Sequence, residues 1–192
     1  MHTQTSHSVL ILYAHPRHHL SRINAALRAQ VENLDNVTLC DLYEHYPDFL
    51  INIPREQALL REHDIIVLQH PIYWYSAPAL VKEWLDVVLE YGFAYGQNGT
   101  ALHGKYLLQA VSSGGRDYAF QSTGSSRYSL VELLRPFEQT AHLCGMHYLP
   151  PFWVAGAHYL SAEAIATQAE RYREHICALR DGTIPAPLCP AS

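Results

Sequence analysis

The most constraining feature of this sequence is the stretch of residues 64–86, which joins a strand-like run, an aromatic loop and a helix-like run. Residues 65–68 are apolar and β-branched, which is typical of a strand buried on both faces of a sheet. Apolar residues then recur at helical spacing from Leu80 to Leu89, and Pro78 lies near the start, where proline is favoured. The stretch therefore predicts a strand–loop–helix unit of an α/β fold.

The loop inside this stretch contains three adjacent aromatic residues, Tyr73, Trp74 and Tyr75. In an open α/β sheet, ligands bind at the loops that leave the carboxyl ends of the strands. A stiff aromatic loop at that place suits a large planar ligand such as a flavin ring. Any one of these aromatics could equally well just cover the end of the sheet, but three in a row favour a binding site.

Strand-like and helix-like segments alternate along the rest of the chain. Strands are predicted at residues 9–14, 37–41, 105–111 and 146–149, and helices after residues 21, 54, 129 and 161. Pro136 is expected to kink or restart the helix that follows residue 129. This alternation implies right-handed βαβ units and a parallel sheet. The predicted fold is a single flavodoxin-like α/β domain, a three-layer sandwich with a five-stranded parallel sheet of order 2-1-3-4-5 and helices on both faces.

The composition limits the class of protein. A chain of 192 residues suits one domain, with its core at about residues 8–180 and a frayed, proline-rich tail at residues 185–192. The formal net charge of −5 argues against a nucleic-acid partner. The polar start lacks the basic region of a signal peptide, and no apolar run approaches the roughly 20 residues that a membrane span needs. We therefore expect a soluble cytoplasmic domain.

The four cysteines show no paired or metal-type spacing. Cys40 and Cys144 lie in apolar segments, so we expect them to be buried, reduced thiols. Cys177 and Cys189 carry no functional signal.

The loop after the first strand contains three histidines and leads into a helix. The free N–H groups at the start of that helix make residues 21–24 a candidate anion site, although Ser21 as a simple N-cap explains the same pattern equally well. His15, His18 and His19 have no cysteine or acidic neighbours, so no metal site is expected. His15 fits better as a cationic or hydrogen-bond-donating contact to a phosphate, and His18 and His19 are expected to face solvent.

A glycine-containing loop, Ser112-Ser113-Gly114-Gly115, follows the strand at residues 105–111. Glycines let backbone amides approach a flat ligand, but they also form ordinary tight turns, and from the residues alone the turn is the better explanation. The chain has no GxGxxG motif. A nicotinamide nucleotide would therefore be a transient substrate here and not a resident cofactor.

Three of these motifs together resemble one family. Residues 13–16 (Tyr-Ala-His-Pro), 70–76 (His-Pro-Ile-Tyr-Trp-Tyr-Ser) and 112–115 (Ser-Ser-Gly-Gly) resemble the flavodoxin-fold NAD(P)H:quinone oxidoreductases. Within that group, the chain is most similar to the ancillary proteins of the glutathione-gated Kef potassium-efflux systems. Further similar segments are residues 41–49, 95–96 with 99–105, and 134–137.

The resemblance implies an enzyme that reduces quinones by two electrons through bound FMN, with NAD(P)H as the substrate that supplies the hydride. FAD remains the alternative cofactor, and the choice between NADH and NADPH stays open. The flavin-binding residues that the resemblance implies are His15, Ser21, Arg22, Ile23, Asn24, Pro71, Ile72, Tyr73, Trp74, Ser112, Ser113, Gly114 and Gly115.

The resemblance also suggests a catalytic residue. Mammalian-type relatives use a tyrosine and a histidine after the paired glycines to relay charge, and Tyr118 is the matching tyrosine here. No histidine follows it before His142, so this relay is in doubt, and Tyr118 could instead only shape the substrate pocket. Tyr75 and Phe120 are expected to help wall the acceptor site.

The resemblance further implies a homodimer and docking on the cytoplasmic face of a potassium-efflux antiporter. Aromatic residues at 91–95 and Trp153 are the expected dimer surface. The competing hypothesis is a regulatory subunit with a sensory or vestigial flavin site. A one-electron flavodoxin-type carrier fits poorly, because the first loop lacks a Thr/Ser/Gly-rich phosphate motif.

Overall fold

The computed structural model describes residues 6–121 and 123–188. Residues 1–5 of the polar start, and Cys189 with the rest of the tail, lie outside the described residues. The described strands are all parallel, in the order β2-β1-β3-β4-β5, and β6 also pairs with β4. Their bounds are β1 Val9–Tyr13, β2 Val37–Asp41, β3 Ile65–Pro71, β4 Tyr106–Ser112, β5 His147–Tyr148 and β6 Phe152–Val154. The predicted flavodoxin-like order is confirmed.

Helices cover both faces of this sheet. They are α1 Ile23–Val31, α2 Leu42–His45, α3 Ile53–Glu62, α4 Ala79–Val88, α5 Leu130–Leu133, α6 Arg135–Leu143 and α7 Ala162–Arg180. Two 3₁₀ turns, at His18–Leu20 and Asp117–Phe120, lie in loops that follow β1 and β4. The sequence analysis missed α2, whose start is capped by the Asp41 carboxylate through the N–H groups of Tyr43 and Glu44.

The two faces of the sheet carry separate hydrophobic clusters. Leu10 and Leu12 of β1 pack into one cluster with side chains of α3, α4 and α6. Val9 and Ile11 point the other way, into a cluster with α1 and α7. All residues of β1 and β3 are buried, as the continuous apolar runs predicted.

The edge of the sheet beside β4 differs from the sequence prediction, which placed one strand there at residues 146–149. Two short strands fill it, because β5 pairs with the start of β4 and β6 pairs with its end. Pro150 and Pro151 lie between them, and proline has no N–H to donate to a ladder. The consequence is functional, since β6 carries the chain to the carboxyl edge of the sheet.

Several local predictions are confirmed. Ser129 and Glu132 form a capping box at α5, and the helix restarts as α6 with Pro136 in its first turn. Gly145 follows α6 with a φ of +65°. Cys40 and Cys144 are buried free thiols, and burial raises the pKa of each to about 11.

The described part of the tail contacts the end of the sheet. The Leu188 N–H donates to the Tyr148 carbonyl at 2.8 Å, which anchors the described end of the tail at this residue. In the described part of the chain, no helix combines the length and hydropathy needed to cross a membrane.

Candidate functional site

A cleft of about 460 Å³ lies at the carboxyl edge of the sheet, where the loops after β1, β3 and β4 meet. Most of the predicted flavin-binding residues line it; the exceptions are Trp74, Ser113 and Gly115. Four further residues that the sequence analysis did not select also line it. The full lining is His15, Arg17, Leu20, Ser21, Arg22, Ile23, Asn24, Pro71, Ile72, Tyr73, Ser112, Gly114, Ala157 and His158.

A larger and more open groove of about 600 Å³ lies beside this cleft, along α1 and α2. It shares only His15 with the cleft. Its charges are already paired in part, since Arg28 Nη1 lies 2.6 Å from Asp41 Oδ2. The smaller cleft is the candidate site because it sits at the ends of adjacent parallel strands, where ligands bind in this architecture.

The start of α1 forms one end of the cleft. The Ser21 hydroxyl accepts the Asn24 N–H at 3.1 Å, so its capping role is real, although the helix itself begins at Ile23. The backbone N–H groups of Arg22 and Ile23 have no partner among the described residues. Free amides and the positive end of the helix dipole suit an anion, so capping and anion binding coexist here.

His15 is a neutral donor at this end and not a cation. Its side chain is buried, and burial together with nearby His18 lowers its pKa. The Arg17 N–H donates to Nδ1 at 3.1 Å, which leaves the ring proton on Nε2. His18 and His19 are exposed as predicted, and Nδ1 of His18 lies 2.7 Å from the Tyr13 hydroxyl.

The floor of the cleft is a buried polar network. Asn24 Nδ2 donates to the Ser112 hydroxyl at 2.8 Å, while the amide of Gln69 donates to the Asn24 carbonyl and accepts from the Tyr172 hydroxyl. Asn24 Oδ1 is buried with no partner among the described residues. Such an orphaned acceptor is costly unless a ligand satisfies it. Sequence reasoning missed Gln69, although a glutamine inside a buried apolar strand was a signal.

The aromatic loop is a tight hairpin with an unusual backbone. Tyr73 and Ser76 exchange two N–H···O bonds of 3.0 Å, and the two residues between them have φ values of +48° for Trp74 and +63° for Tyr75. Asn and Gly normally occupy these positions, so two aromatics there are strained. Of the three aromatic residues in this loop, only Tyr73 lines the cleft. The side chains of Trp74 and Tyr75 are exposed, that of Trp74 to 93%. Strain of this kind concentrates at functional sites.

The glycine loop is held from behind by a second segment of chain. The Ser113 hydroxyl accepts from the Trp153 indole and donates to the Gly115 carbonyl, so this side chain is used within the scaffold. A Cβ on Gly114 would lie 2.7 Å from Nε2 of His158. Phe120 is buried behind Gly115, edge-on to Trp153, which corrects the expectation that it walls the acceptor site.

His70 supports the aromatic loop from inside the sheet. Its Nδ1 lies 3.0 Å from the Pro71 carbonyl and its Nε2 lies 2.7 Å from Gln109 Oε1. Burial lowers the pKa of His70, and a neutral imidazole has a single N–H. A half-turn of the Gln109 amide, whose Nε2 otherwise has no partner among the described residues, would satisfy both contacts.

Tyr118 lies outside the cleft wall, on the 3₁₀ turn after β4, and its side chain is 61% exposed. The single chain therefore does not bring it to the cleft. Ala157 and His158 were missed because they follow β6, which the sequence analysis did not predict. Within the described residues, no group of three or more His, Cys, Asp or Glu side chains is placed to hold a metal ion.

Two buried histidines, His15 and His70, and the half-buried His175 lead us to expect that the fold weakens in mild acid. Burial lowers the pKa of His15, His70 and His175 below 6.5, so each binds a proton more readily in the unfolded chain. Stability should be complete above about pH 6.5 and fall as the pH drops toward the folded-state values. We expect a lower Tm at about pH 5 than at about pH 7.5, with a smaller drop in His175→Phe. An equal drop in that variant would exclude His175 as a contributor.

Comparison with known proteins agrees with this geometry. The sequence model of a family described as having a flavodoxin-like fold matches residues 7–176. The fold and the cleft thus define a flavodoxin-type α/β protein with a cleft at the carboxyl edge of its sheet, and the chain belongs to that family.

Three similar proteins illustrate what the chain resembles. The chain is 50% identical over 164 residues to the glutathione-regulated potassium-efflux system ancillary protein KefG of Escherichia coli, covering 85% of this chain and 89% of KefG. It is 38% identical to general stress protein 14 of Treponema denticola, solved in complex with FMN, with a TM-score of 0.86 over 90% of this chain and 99% of that one. It is also 38% identical to an NADPH-quinone reductase from P. pentosaceus, with a TM-score of 0.80 over 88% and 96% of the two chains.

Proposed function

We propose that this protein is an FMN-dependent NAD(P)H:quinone oxidoreductase. The observation that carries the proposal is the cleft itself, which combines free amides at the start of α1, an orphaned Asn24 Oδ1 and an apolar loop at Pro71–Tyr73. Its volume is that of a cofactor site. The FMN-bound relative from T. denticola supports FMN as the flavin.

The residues present fit FMN at both ends. The amides of Arg22 and Ile23, the Ser21 hydroxyl and the Nε2–H of His15 are the donors that would hold its phosphate. Asn24 Oδ1 would accept from a hydroxyl of the ribityl chain. The side chains of Pro71, Ile72 and Tyr73 would lie against the isoalloxazine ring, opposite Ser112 and Gly114.

FMN, when bound, would supply the hydride-transfer chemistry, with NAD(P)H and the quinone using the same open face in turn, a ping-pong sequence. The residues of the chain would position the flavin and shield it from water. The stiff hairpin after β3 and the glycine loop after β4 would hold the two edges of the cleft, and Tyr73, which lines it, would limit the access of water to the flavin. Tyr118 would contribute only if a substrate or a second subunit brings it near.

This proposal predicts a coloured, active protein. We expect it to purify yellow with about one FMN per chain, because the cleft satisfies its buried polar atoms only with a ligand. It should oxidise NADH or NADPH when a benzoquinone or naphthoquinone is present. The measurements are the absorption spectrum, the mass of the flavin released by heat, and steady-state turnover. A colourless protein that does not bind flavin at micromolar concentrations would refute the proposed enzymatic function.

We further propose a homodimer that docks on the cytoplasmic face of a potassium-efflux antiporter, following the KefG relative. Tyr91 is 65% exposed and suits a subunit contact, whereas Phe93 is buried and Trp153 is partly buried and bonded to Ser113. The dimer surface is therefore smaller than the sequence suggested at residues 91–95.

Ultracentrifugation at micromolar concentration should show a dimer, and co-expression with the antiporter should bring the protein to membranes. A monomer would contradict the first expectation and absence from the membrane fraction the second.

The alternative is a regulatory subunit of a potassium-efflux system, whose flavin site is sensory or vestigial and supports little enzymatic turnover. The similarity to KefG is the observation that favours it. Flavin binding without quinone-dependent NAD(P)H oxidation, together with flavin-dependent stimulation of potassium efflux, would select this alternative.

A further inference from the structure

A second cavity, of about 390 Å³, lies directly behind the glycine loop. Residues 113–115 separate it from the cleft, together with the chain that continues from β6. Three backbone bonds join these segments: Ser113 N–H to the Val154 carbonyl at 3.0 Å, Ala157 N–H to the Ser113 carbonyl at 2.9 Å, and Gly156 N–H to the Gly115 carbonyl at 2.8 Å. Ala157 faces the cleft and Gly156 faces the second cavity. The two cavities therefore lie on opposite sides of one hydrogen-bonded wall, so an elongated molecule that passes over the edge of this wall could extend from one cavity into the other.

Arg116 is held in place on this wall. Its guanidinium carbon lies 4.4 Å from the centre of the Tyr159 ring. Its aliphatic stem crosses Gly156, where a Cβ would lie 3.3 Å from Arg116 Cγ and where φ is +69°. The glycine thus both makes the turn and leaves room for the arginine. A guanidinium that is oriented before binding loses less entropy when it binds an anion.

Arg171 of α7 provides a second guanidinium to the same cavity, and its Nη1 donates to the side-chain Oε1 of Gln168 at 3.1 Å. Neither arginine forms an ion pair within the described residues. Asp117 also borders the cavity, and its Oδ1 accepts the Tyr118 N–H. The cavity therefore has one more positive than negative side chain, and Trp153 and Leu160 give it an apolar wall.

We propose that this cavity binds the 2′-phosphate and adenosine of NADPH, so that Arg116 and Arg171 make the protein prefer NADPH over NADH. The inference rests on the proposed function, because it assumes that the nicotinamide end enters the neighbouring cleft. Two unpaired guanidiniums match a phosphomonoester, which accepts several charge-assisted hydrogen bonds. The apolar wall suits the adenosine, and NADH has no 2′-phosphate for these arginines to bind.

The test compares Arg116→Gln, Arg171→Gln and the double variant with Arg173→Gln, an exposed arginine on α7 that does not line the cavity. The ratio of kcat/KM for NADPH to that for NADH should fall about tenfold or more in the double variant and stay unchanged in Arg173→Gln. Calorimetric titration of the flavin-loaded proteins with 2′,5′-ADP and with 5′-AMP gives a readout that is independent of turnover. The wild type should bind 2′,5′-ADP more tightly than 5′-AMP, and the double variant should bind the two equally.

Equal affinities of the wild type for 2′,5′-ADP and 5′-AMP would overturn the inference and leave the proposed reductase intact. A fall in the ratio that is equally large in Arg173→Gln would also overturn it, since it would reflect general surface charge. If the protein oxidises neither nucleotide, the proposed function fails, and the titration with 2′,5′-ADP still decides whether the phosphate site exists.

Discussion

Replacing Glu56 with alanine should lower the free energy of unfolding by about 2–6 kcal/mol, because two buried hydrogen-bond donors lose their acceptor at about 1–3 kcal/mol each, while Arg55 is partly exposed and can be solvated. The Glu56 side chain lies in α3 with no exposed surface. It accepts from the Tyr46 hydroxyl at 2.6 Å and from the Trp84 indole at 2.9 Å, and it is paired with Arg55. These contacts join α3 to α4 and to the segment after α2. Alanine would leave a buried indole N–H and a hydroxyl without their acceptor.

Chemical denaturation with urea, followed by circular dichroism, measures this effect. Glu62→Ala is the matched control, because Glu62 is exposed at the end of the same helix and the same atoms are removed. Its free energy of unfolding should change by about 0.5 kcal/mol or less. Similar values for the two variants would mean that the buried network adds nothing to stability.

Much of the fold was predictable because the information is local. The apolar runs at β1 and β3, the proline at the start of α3 and the capping box at Ser129 each depend on neighbouring residues. The alternation of these elements then gave the strand order. The split of the fifth strand was missed because three residues, Phe152–Val154, are too short to show a period.

The candidate site was predictable where motifs lie directly at strand ends, as with Ile72 and Gly114. It was not predictable where the contact spans a long stretch of chain. His158 comes close to Gly114 because β6 brings the chain back to this edge of the sheet, and Gln69 of β3 bonds to Tyr172 of α7, 103 residues further along the chain. The charge state of His15 was also beyond the sequence, because it depends on burial and on the Arg17 amide. Trp74 shows the same limit, since adjacent aromatics did not reveal a hairpin that turns one of them outward.

Replacing Gly114 with valine should weaken FMN binding by about 1–3 kcal/mol, or about 5- to 150-fold. The added Cβ would lie 2.7 Å from Nε2 and 2.8 Å from Cδ2 of His158, at the wall of the cleft. His158 is exposed and can move away, so the fold should keep most of its stability. The displaced imidazole and the two methyl groups would then take up space in the cleft. Titration of FMN into the apo-variant, followed by quenching of flavin fluorescence, gives the dissociation constant.

Phe49→Ala is the control for this prediction, because Phe49 packs edge-on against Tyr43 and does not line the cleft. Its FMN affinity should match that of the wild type. Gly114→Ala should fall between the two, since one methyl group displaces His158 but fills less of the cleft. The order wild type, alanine, valine in affinity would show that the backbone of Gly114 must approach the flavin. Equal affinities in all three, with unchanged unfolding curves, would mean that Gly114 serves only the turn and that the flavin contacts lie on the Ser21 and Pro71 loops alone.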